Sequence, residues 1–218
     1  RACGLTGSMP ILYSFRRCPY AMRARLAIYV SGLRVELREI MLRDKAPEFL
    51  LASPKATVPV LITNKEVIEE SFDIMVWCLK QSDPEHWLAM PDEGYEWILR
   101  SDGPFKEALD HTKYSVRFPD LDPKLEQAKA LKFLTDLNLQ IGNSNWVFGE
   151  GCSLADMALL PFIRQFSNID KNWFYGQNLS NVYRWLDHFL RTDIFIKIMK
   201  KYKMWSVGNP PVIFSRAG

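Results

Sequence analysis

The segment Phe15-Arg16-Arg17-Cys18-Pro19-Tyr20-Ala21 follows an apolar run that begins at Ile11 and opens a helical pattern. Alanine and isoleucine then recur at helical spacing as far as Gly32, a residue type that favours helix ends. Proline is tolerated best in the first helical turn, so Pro19 places Cys18 at the helix N-terminus. Backbone N–H groups and the helix dipole favour a thiolate there. This strand-to-helix junction therefore predicts a reactive cysteine.

Cys18 taken alone does not establish catalysis, because an isolated cysteine is most often a small buried core residue. Arg16 and Arg17 precede it and would add positive potential, and Tyr20 would supply an aromatic wall. These neighbours favour ionisation of Cys18 but do not identify what it attacks.

Strand and helix signals alternate downstream of this segment. Val35 and Leu37 alternate with charged residues, residues 47–51 suggest a short helix, and residues 60–69 suggest a hairpin with an Asn64-Lys65 turn. Ser71 is expected to cap the next helix. The pattern predicts an α/β domain of the order β-α-β-α-β-β-α.

Beyond a proline-punctuated connection the strand signals vanish. Asp122-Pro123 marks a helix start, and Ser153-Leu154-Ala155-Asp156 is a capping-box pattern before an apolar segment. We assign Ser153 and Asp156 a structural role. The expected organisation is 1–8 as a remnant of expression, 9–82 as the α/β domain, 83–91 as a linker and 92–218 as an all-α helical bundle.

Composition excludes several classes of protein. The chain has 218 residues, of which 48% are hydrophobic and 24% charged, an ordinary globular balance. Its formal charge of +3 and scattered basic residues do not predict nucleic-acid binding. No run approaches the roughly eighteen apolar residues of a membrane helix.

Without Cys3, the cysteines Cys18, Cys78 and Cys152 are too sparse for a disulfide framework or a metal site, which favours a reducing, cytoplasmic setting. Cys78 and Cys152 are assigned to packing.

Two further segments offer ligand-binding groups. Val58-Pro59 precedes an apolar strand, and a cis bond would turn the Val58 backbone toward a peptide-like ligand, although only about one X–Pro bond in twenty is cis. Glu70-Ser71 at a helix start suits the ammonium and carboxylate groups of an α-amino acid. The alternatives are a trans proline on an edge strand and a plain helix cap.

Together these segments resemble the glutathione transferase superfamily, and the resemblance spans nearly the whole chain from Met9 onward. Cys18-Pro19-Tyr20-Ala21, Val58-Pro59 and Glu70-Ser71 look like its thioredoxin-like domain, and residues 153–156 look like the capping motif of its helical domain. The Cys-Pro-Tyr-Ala segment is most similar to omega-type transferases and two-domain glutaredoxins.

The resemblance implies that glutathione is the co-substrate. Its γ-glutamyl end would lie on Glu70 and Ser71, its cysteinyl backbone would pair with Val58 beside a cis Pro59, and Lys45 would meet its glycine carboxylate. Cys18 would form a mixed disulfide with glutathione. Ala21 stands where dithiol glutaredoxins carry a second cysteine, which implies a monothiol route: deglutathionylation, dehydroascorbate reduction or reduction of small electrophiles.

Two other functions stay open. A non-catalytic binding or regulatory protein could keep the fold, although such a protein would be expected to lose the glutathione-site residues. Conjugation of glutathione to electrophiles would use glutathione's own thiolate in place of Cys18. Aromatic residues of the helical half could line a second-substrate pocket, although a core role is favoured for Tyr114, Phe166 and Trp173. Transferases of this kind are commonly homodimers, and the sequence leaves that state open.

Overall fold

The computed structural model describes residues 8 to 217, so the interpretation of residues 1–8 lies outside the described residues except for Ser8. The chain divides into two compact units. The first runs to Pro84 and also takes in the residues from Asp193 onward, and the second comprises Glu85–Thr192.

The first unit is a mixed sheet with helices, and its amino-terminal part has the predicted order β-α-β-α-β-β-α. Its elements are β1 (Ile11–Ser14), α1 (Pro19–Ser31), β2 (Val35–Glu39), α2 (Pro47–Ala52), β3 (Val60–Ile62), β4 (Val67–Ile68), α3 (Ser71–Gln81), α10 (Asp193–Ile198) and β5 (Ile213–Phe214). The sheet order is β4-β3-β1-β2-β5. Strands β1 and β2 pair in parallel, whereas the pairs β1–β3, β2–β5 and β3–β4 are antiparallel.

The centre of this sheet positions the Cys18 segment. Leu12 of β1 lies between Leu37 of β2 and Leu61 of β3, and all three side chains are buried. Helix α1 packs against α3, and Gly32 ends α1 with a φ of 73°, a left-handed conformation that glycine adopts without steric cost. The end of β1 and the start of α1 therefore fix the loop that carries Cys18.

The carboxyl-terminal residues differ from the expected all-helical segment that runs to residue 218. From Asp193 onward they group with the first unit, where β5 pairs with Val35 and Glu36 on the edge of β2. Edge strands expose unpaired backbone groups, and β5 satisfies those of β2. The short Val212-Ile213-Phe214 run was too brief to be recognised as a strand among helical signals.

The second unit is helical, as predicted. Its α-helices are α4 (Glu93–Arg100), α5 (Lys106–Lys113), α6 (Pro123–Ile141), α7 (Leu154–Ser167), α8 (Lys171–Tyr175) and α9 (Ser180–Leu190). A π-helical turn, Ser101–Phe105, joins α4 to α5. Helix α7 is buried along most of its length, which agrees with its apolar sequence. Across residues 8 to 217, every helix is too short or too polar to cross a bilayer.

Candidate active site

Cys18 is the N-cap residue of α1, with an extended backbone at φ −71° and ψ 123°. Its N–H donates to the Phe15 carbonyl at 3.0 Å, and its own carbonyl accepts the Met22 N–H at 2.9 Å. Pro19 occupies the first helical turn, as the sequence predicts. The thiol is partly exposed, so it combines a helix N-terminus with access to solvent.

Val58 and Pro59 lie directly beside this thiol. The Val58–Pro59 peptide bond is cis, and both residues are buried just before β3. The Cys18 sulfur lies 3.8 Å from the Val58 carbonyl oxygen. The structure therefore brings together two of the segments that the sequence singled out, although 40 positions separate them.

Glu70 and Ser71 stand at the start of α3, but their roles differ from the expectation. Glu70 is the N-cap residue and Ser71 the first residue of the helix, so the expectation that Ser71 caps the helix is wrong. The buried Ser71 hydroxyl accepts a hydrogen bond from the Arg23 guanidinium at 3.4 Å. The exposed Glu70 carboxylate forms an ion pair with Lys55 at 2.8 Å. The Ser71 hydroxyl, which the sequence predicted as the cap of α3, therefore accepts a hydrogen bond from Arg23 instead.

Tyr20 and Lys45 occupy different parts of the first unit. Tyr20 lies on α1 beneath the Arg23 guanidinium, whose carbon is 5.9 Å from the ring centroid. Half-buried Lys45 lies between β2 and α2 and lines a cavity of about 430 Å³ that also contains Trp205. Trp205 packs on the core cluster that Cys18 also contacts. Lys45 is thus near this core, and no direct contact joins it to Glu70 or Val58 among the described interactions.

Three basic residues in or near the candidate site had no role predicted from the sequence. Arg23 and Arg25 lie within α1 and are almost completely buried, and Lys55 pairs with Glu70. The available signal was the pair of arginines at Arg23 and Arg25 inside an otherwise apolar helix, because a buried charge requires dedicated partners. Nothing in the sequence marked Lys55.

The other described cysteines are chemically unlike Cys18. Cys78 is fully buried, and desolvation raises the pKa of its thiol to about 12. Desolvation also raises the pKa of Cys152 well above its ordinary value, with further contributions from the carboxylates of Asp156 and Glu85. Both thiols would stay protonated near neutral pH. Over residues 8 to 217, no cluster of three or more histidine, cysteine or acidic side chains has the arrangement of a metal site.

Asp156 in the second unit is the acceptor for four hydrogen bonds. One carboxylate oxygen accepts the Ser153 N–H at 2.9 Å and the Ser153 hydroxyl at 2.8 Å. The other accepts the Val147 N–H at 2.9 Å and the Trp185 indole N–H at 2.8 Å. The capping-box geometry predicted for Ser153 and Asp156 is present. Asp156 therefore links the start of α7 to the preceding loop and to α9.

The aromatic residues of the helical unit differ in how deeply they are buried. Phe166 is buried among Phe105, Trp173 and Phe174, which agrees with a core role. Tyr114 is only partly buried and lies under the Arg117 guanidinium, 4.5 Å from the ring centroid. These contacts give Phe166 a packing role and leave Tyr114 at the surface of the helical unit.

Comparison with known proteins agrees with this arrangement. Residues 12–86 match the family described as glutathione S-transferase, N-terminal domain. The chain is 28% identical over 173 residues to the probable glutathione S-transferase parA of Nicotiana tabacum, covering 76% of this chain and 73% of that protein. It is 36% identical over 88 residues to glutathione S-transferase omega-1 of Rattus norvegicus, covering 39% of this chain and 35% of that protein.

The chain contains a glutathione S-transferase N-terminal domain at residues 12–86. Its fold is that of a glutathione transferase family member from Pseudomonas fluorescens pf-5, solved with two glutathione molecules bound, at a TM-score of 0.75 and 21% identity over 90% of this chain and 95% of that one. The relatives that the chain matches are named as glutathione S-transferases, which are enzymes. The fold predicted from the sequence is therefore confirmed.

Proposed function

We propose that this protein is a glutathione-dependent thiol transferase of the glutathione S-transferase superfamily, in which Cys18 carries a mixed disulfide with glutathione. The observation that carries the proposal is the partly exposed Cys18 thiol at the N-terminus of α1, 3.8 Å from the Val58 carbonyl oxygen. The helix terminus favours the thiolate, and the exposed sulfur gives a disulfide access to it. The sequence Cys18-Pro19-Tyr20-Ala21 supports an omega-like class.

The predicted glutathione site uses groups around this thiol. The Val58 backbone beside Pro59 would pair with the cysteinyl unit. Glu70 would bind the γ-glutamyl ammonium group once its ion pair with Lys55 breaks. Ser71, at the start of α3, and Tyr20 would complete that end of the site, and Lys45 would meet the glycine carboxylate. Each of these contacts places a polar group against a charged or amide group of the tripeptide.

The reaction consists of two thiol–disulfide exchanges. The Cys18 thiolate attacks the glutathione sulfur of a mixed disulfide, a new sulfur–sulfur bond forms, and the substrate thiolate leaves and takes up a proton. The thiolate of a second glutathione then attacks the glutathione sulfur on Cys18, which yields oxidised glutathione and restores the Cys18 thiolate. Ala21 offers no second sulfur, so the route is monothiol. Dehydroascorbate and small electrophiles are further candidate oxidants.

Two alternatives remain distinct from this proposal. A non-catalytic glutathione-binding protein would bind the tripeptide without turnover, and a conjugating transferase would turn over electrophiles with or without Cys18. We propose a cytoplasmic location, and a homodimer, which is common among transferases of this kind, is a candidate assembly. The partly exposed Cys18 thiol and the presence of every predicted site residue favour the thiol transferase over both.

Steady-state kinetics with a small glutathione mixed disulfide tests the proposal. The wild-type protein should release the substrate thiol at the expense of reduced glutathione, and Cys18→Ser should lose at least about a thousandfold in kcat/KM, because serine cannot form the mixed disulfide. Full activity of Cys18→Ser, or glutathione binding without turnover in the wild type, would reject it. A halogenated aromatic substrate assayed in parallel measures conjugation.

A further inference from the structure

A buried arginine lies behind the loop that carries Cys18. Arg25 follows Cys18 by about two turns of α1 and is only 2% exposed. A buried guanidinium needs several acceptors, because each unsatisfied donor would otherwise be desolvated without compensation. The acceptors of Arg25 are therefore informative about what it holds in place.

Two of these acceptors are backbone carbonyls of the Cys18 loop. Arg25 Nη2 donates to the Arg16 carbonyl at 2.6 Å, and Nη1 donates to the Phe15 carbonyl at 3.3 Å. The Phe15 carbonyl also accepts the Cys18 N–H at 3.0 Å. The guanidinium and the backbone of Cys18 thus share one acceptor.

The remaining donors of Arg25 anchor it from other directions. Nη1 also donates to the Ser14 hydroxyl at 2.6 Å, at the end of β1, and Nε donates to the Ile198 carbonyl at 2.9 Å, at the end of α10. The carboxyl-terminal residues that the sequence analysis placed in the helical bundle therefore help to fix this side chain. The guanidinium cannot shift without losing hydrogen bonds to the end of β1, to the loop that follows it and to the end of α10.

Glu39 holds the same loop from the other side. Its carboxylate is nearly fully buried, and Oε1 accepts the Arg16 N–H at 2.7 Å. Arg16 is therefore held at both backbone groups, its N–H by Glu39 and its carbonyl by Arg25. Two buried side chains of opposite charge fix the peptide units that precede Cys18.

The charges of Arg25 and Cys18 are coupled, because an ionised Cys18 raises the pKa of the Arg25 guanidinium. Burial lowers the pKa of the guanidinium to about 10, and Arg16 lowers it further, whereas Glu39, Cys18 and Tyr202 in their ionised forms raise it. Arg25 therefore stays cationic near neutral pH. Burial raises the pKa of the Glu39 carboxyl, although the Arg16 N–H and the Arg25 cation act in the opposite direction. These are the charged groups that face Arg25 from its surroundings.

We propose that Arg25 is a positioning residue for Cys18: it fixes the loop through the Phe15 and Arg16 carbonyls, and its cation, balanced by Glu39, sets the pH at which the Cys18 thiolate forms. The inference rests on Cys18 being the reactive thiol of the proposed function. An opposite charge nearby favours a thiolate and a like charge disfavours it. Removal of the Arg25 charge should therefore raise the pH at which Cys18 ionises, and removal of the Glu39 charge should lower it.

The test measures the rate at which iodoacetamide alkylates Cys18 from about pH 5 to 10, with all proteins in a Cys3→Ser background. In Arg25→Met the midpoint of the profile should rise, so that alkylation below the midpoint slows about tenfold. In Glu39→Gln, whose amide oxygen still accepts the Arg16 N–H, the midpoint should fall and alkylation at low pH should quicken severalfold. Arg25→Lys keeps the positive charge but loses the planar guanidinium that bonds several carbonyls. Its midpoint should lie between those of Arg25→Met and the wild type.

Arg34→Met serves as a matched control, because it removes an exposed cation of the same unit and should leave the midpoint unchanged. If Arg25→Met does not fold by circular dichroism, the direction of the shift in Glu39→Gln decides. Unchanged midpoints, or shifts in the same direction for Arg25→Met and Glu39→Gln, would overturn the inference. Alkylation requires no glutathione, so failure of the glutathione chemistry would be recognised separately as loss of turnover with a normal alkylation profile.

Discussion

The Cys18 sulfur lies 3.8 Å from the Val58 carbonyl oxygen, so the thiol at the start of α1 faces the backbone that precedes β3. This relationship joins the nucleophile to the segment proposed to bind the cysteinyl unit of glutathione. A disulfide aligned along Val58 would present its sulfur to Cys18.

Cys18 should be alkylated selectively in the native protein. With Cys3→Ser, iodoacetamide near pH 7.5 should label Cys18, while Cys78 and Cys152 stay unlabelled because burial raises the pKa of both thiols. Peptide mass spectrometry measures the labelling of each cysteine, and labelling in urea provides the control in which all three react. Equal labelling of Cys78 in the native state would contradict the account.

Cys78 should make stability depend on alkaline pH. The folded-state pKa, about 12, lies above the unfolded value of about 8.5, so its contribution is complete below pH 8.5 and is lost as the pH rises toward 12. Between pH 7 and pH 10, the difference in unfolding free energy between the wild type and Cys78→Ala should shrink by about 2 kcal/mol. Urea denaturation at both pH values measures it. A constant difference would mean that Cys78 titrates alike in both states.

Glu70 and Lys55 should affect glutathione binding with opposite signs. Glu70→Gln removes the charge proposed to meet the γ-glutamyl ammonium group, so the KM for glutathione should rise about tenfold with little change in kcat. Lys55→Met frees Glu70 from its exposed ion pair, and the KM should fall about twofold. Arg34→Met again controls for the loss of an exposed cation. A higher KM in Lys55→Met would place Lys55 itself among the ligand-binding groups.

Asp156 should be essential for the stability of the helical unit. In Asp156→Ala, four buried donors from Ser153, Val147 and Trp185 lose their acceptor, at a cost of about 3 to 5 kcal/mol. Asp122→Ala is the matched control, because that exposed aspartate caps α6 through the Lys124 N–H alone and should cost about 1 kcal/mol. Urea denaturation measures both. Equal losses would show that burial of Asp156 is unimportant.

The sequence predicted the parts of the fold that have strong local signals. The order of strands and helices up to α3 followed from hydrophobic periodicity and from Pro19 and Gly32, and the capping box at Ser153 followed from its spacing to Asp156. The strand β5 was missed because it is a two-residue pairing whose partner, β2, is distant in sequence. Such a pairing has no local pattern.

The sequence singled out the residue types of the candidate site but not the contacts between them. Cys18 and Val58 each stood out by local sequence, and their proximity depends on the pairing of β1 with β3. Arg25 could be recognised only as a charge within an apolar helix, because its partners lie outside α1, in the loop of Phe15 and Arg16 and at Ile198. Hydrogen bonds between distant segments follow from the tertiary fold.

Intact-protein mass spectrometry after incubation with oxidised glutathione tests the central claim most directly. Cys3→Ser protein should gain the mass of one glutathione, reduced glutathione should remove it, and peptide mapping should locate it on Cys18. The double variant Cys3→Ser/Cys18→Ser should gain none. A glutathione adduct on Cys78 or Cys152, or no adduct while Cys18 still reacts with iodoacetamide, would contradict the proposal that Cys18 carries glutathione.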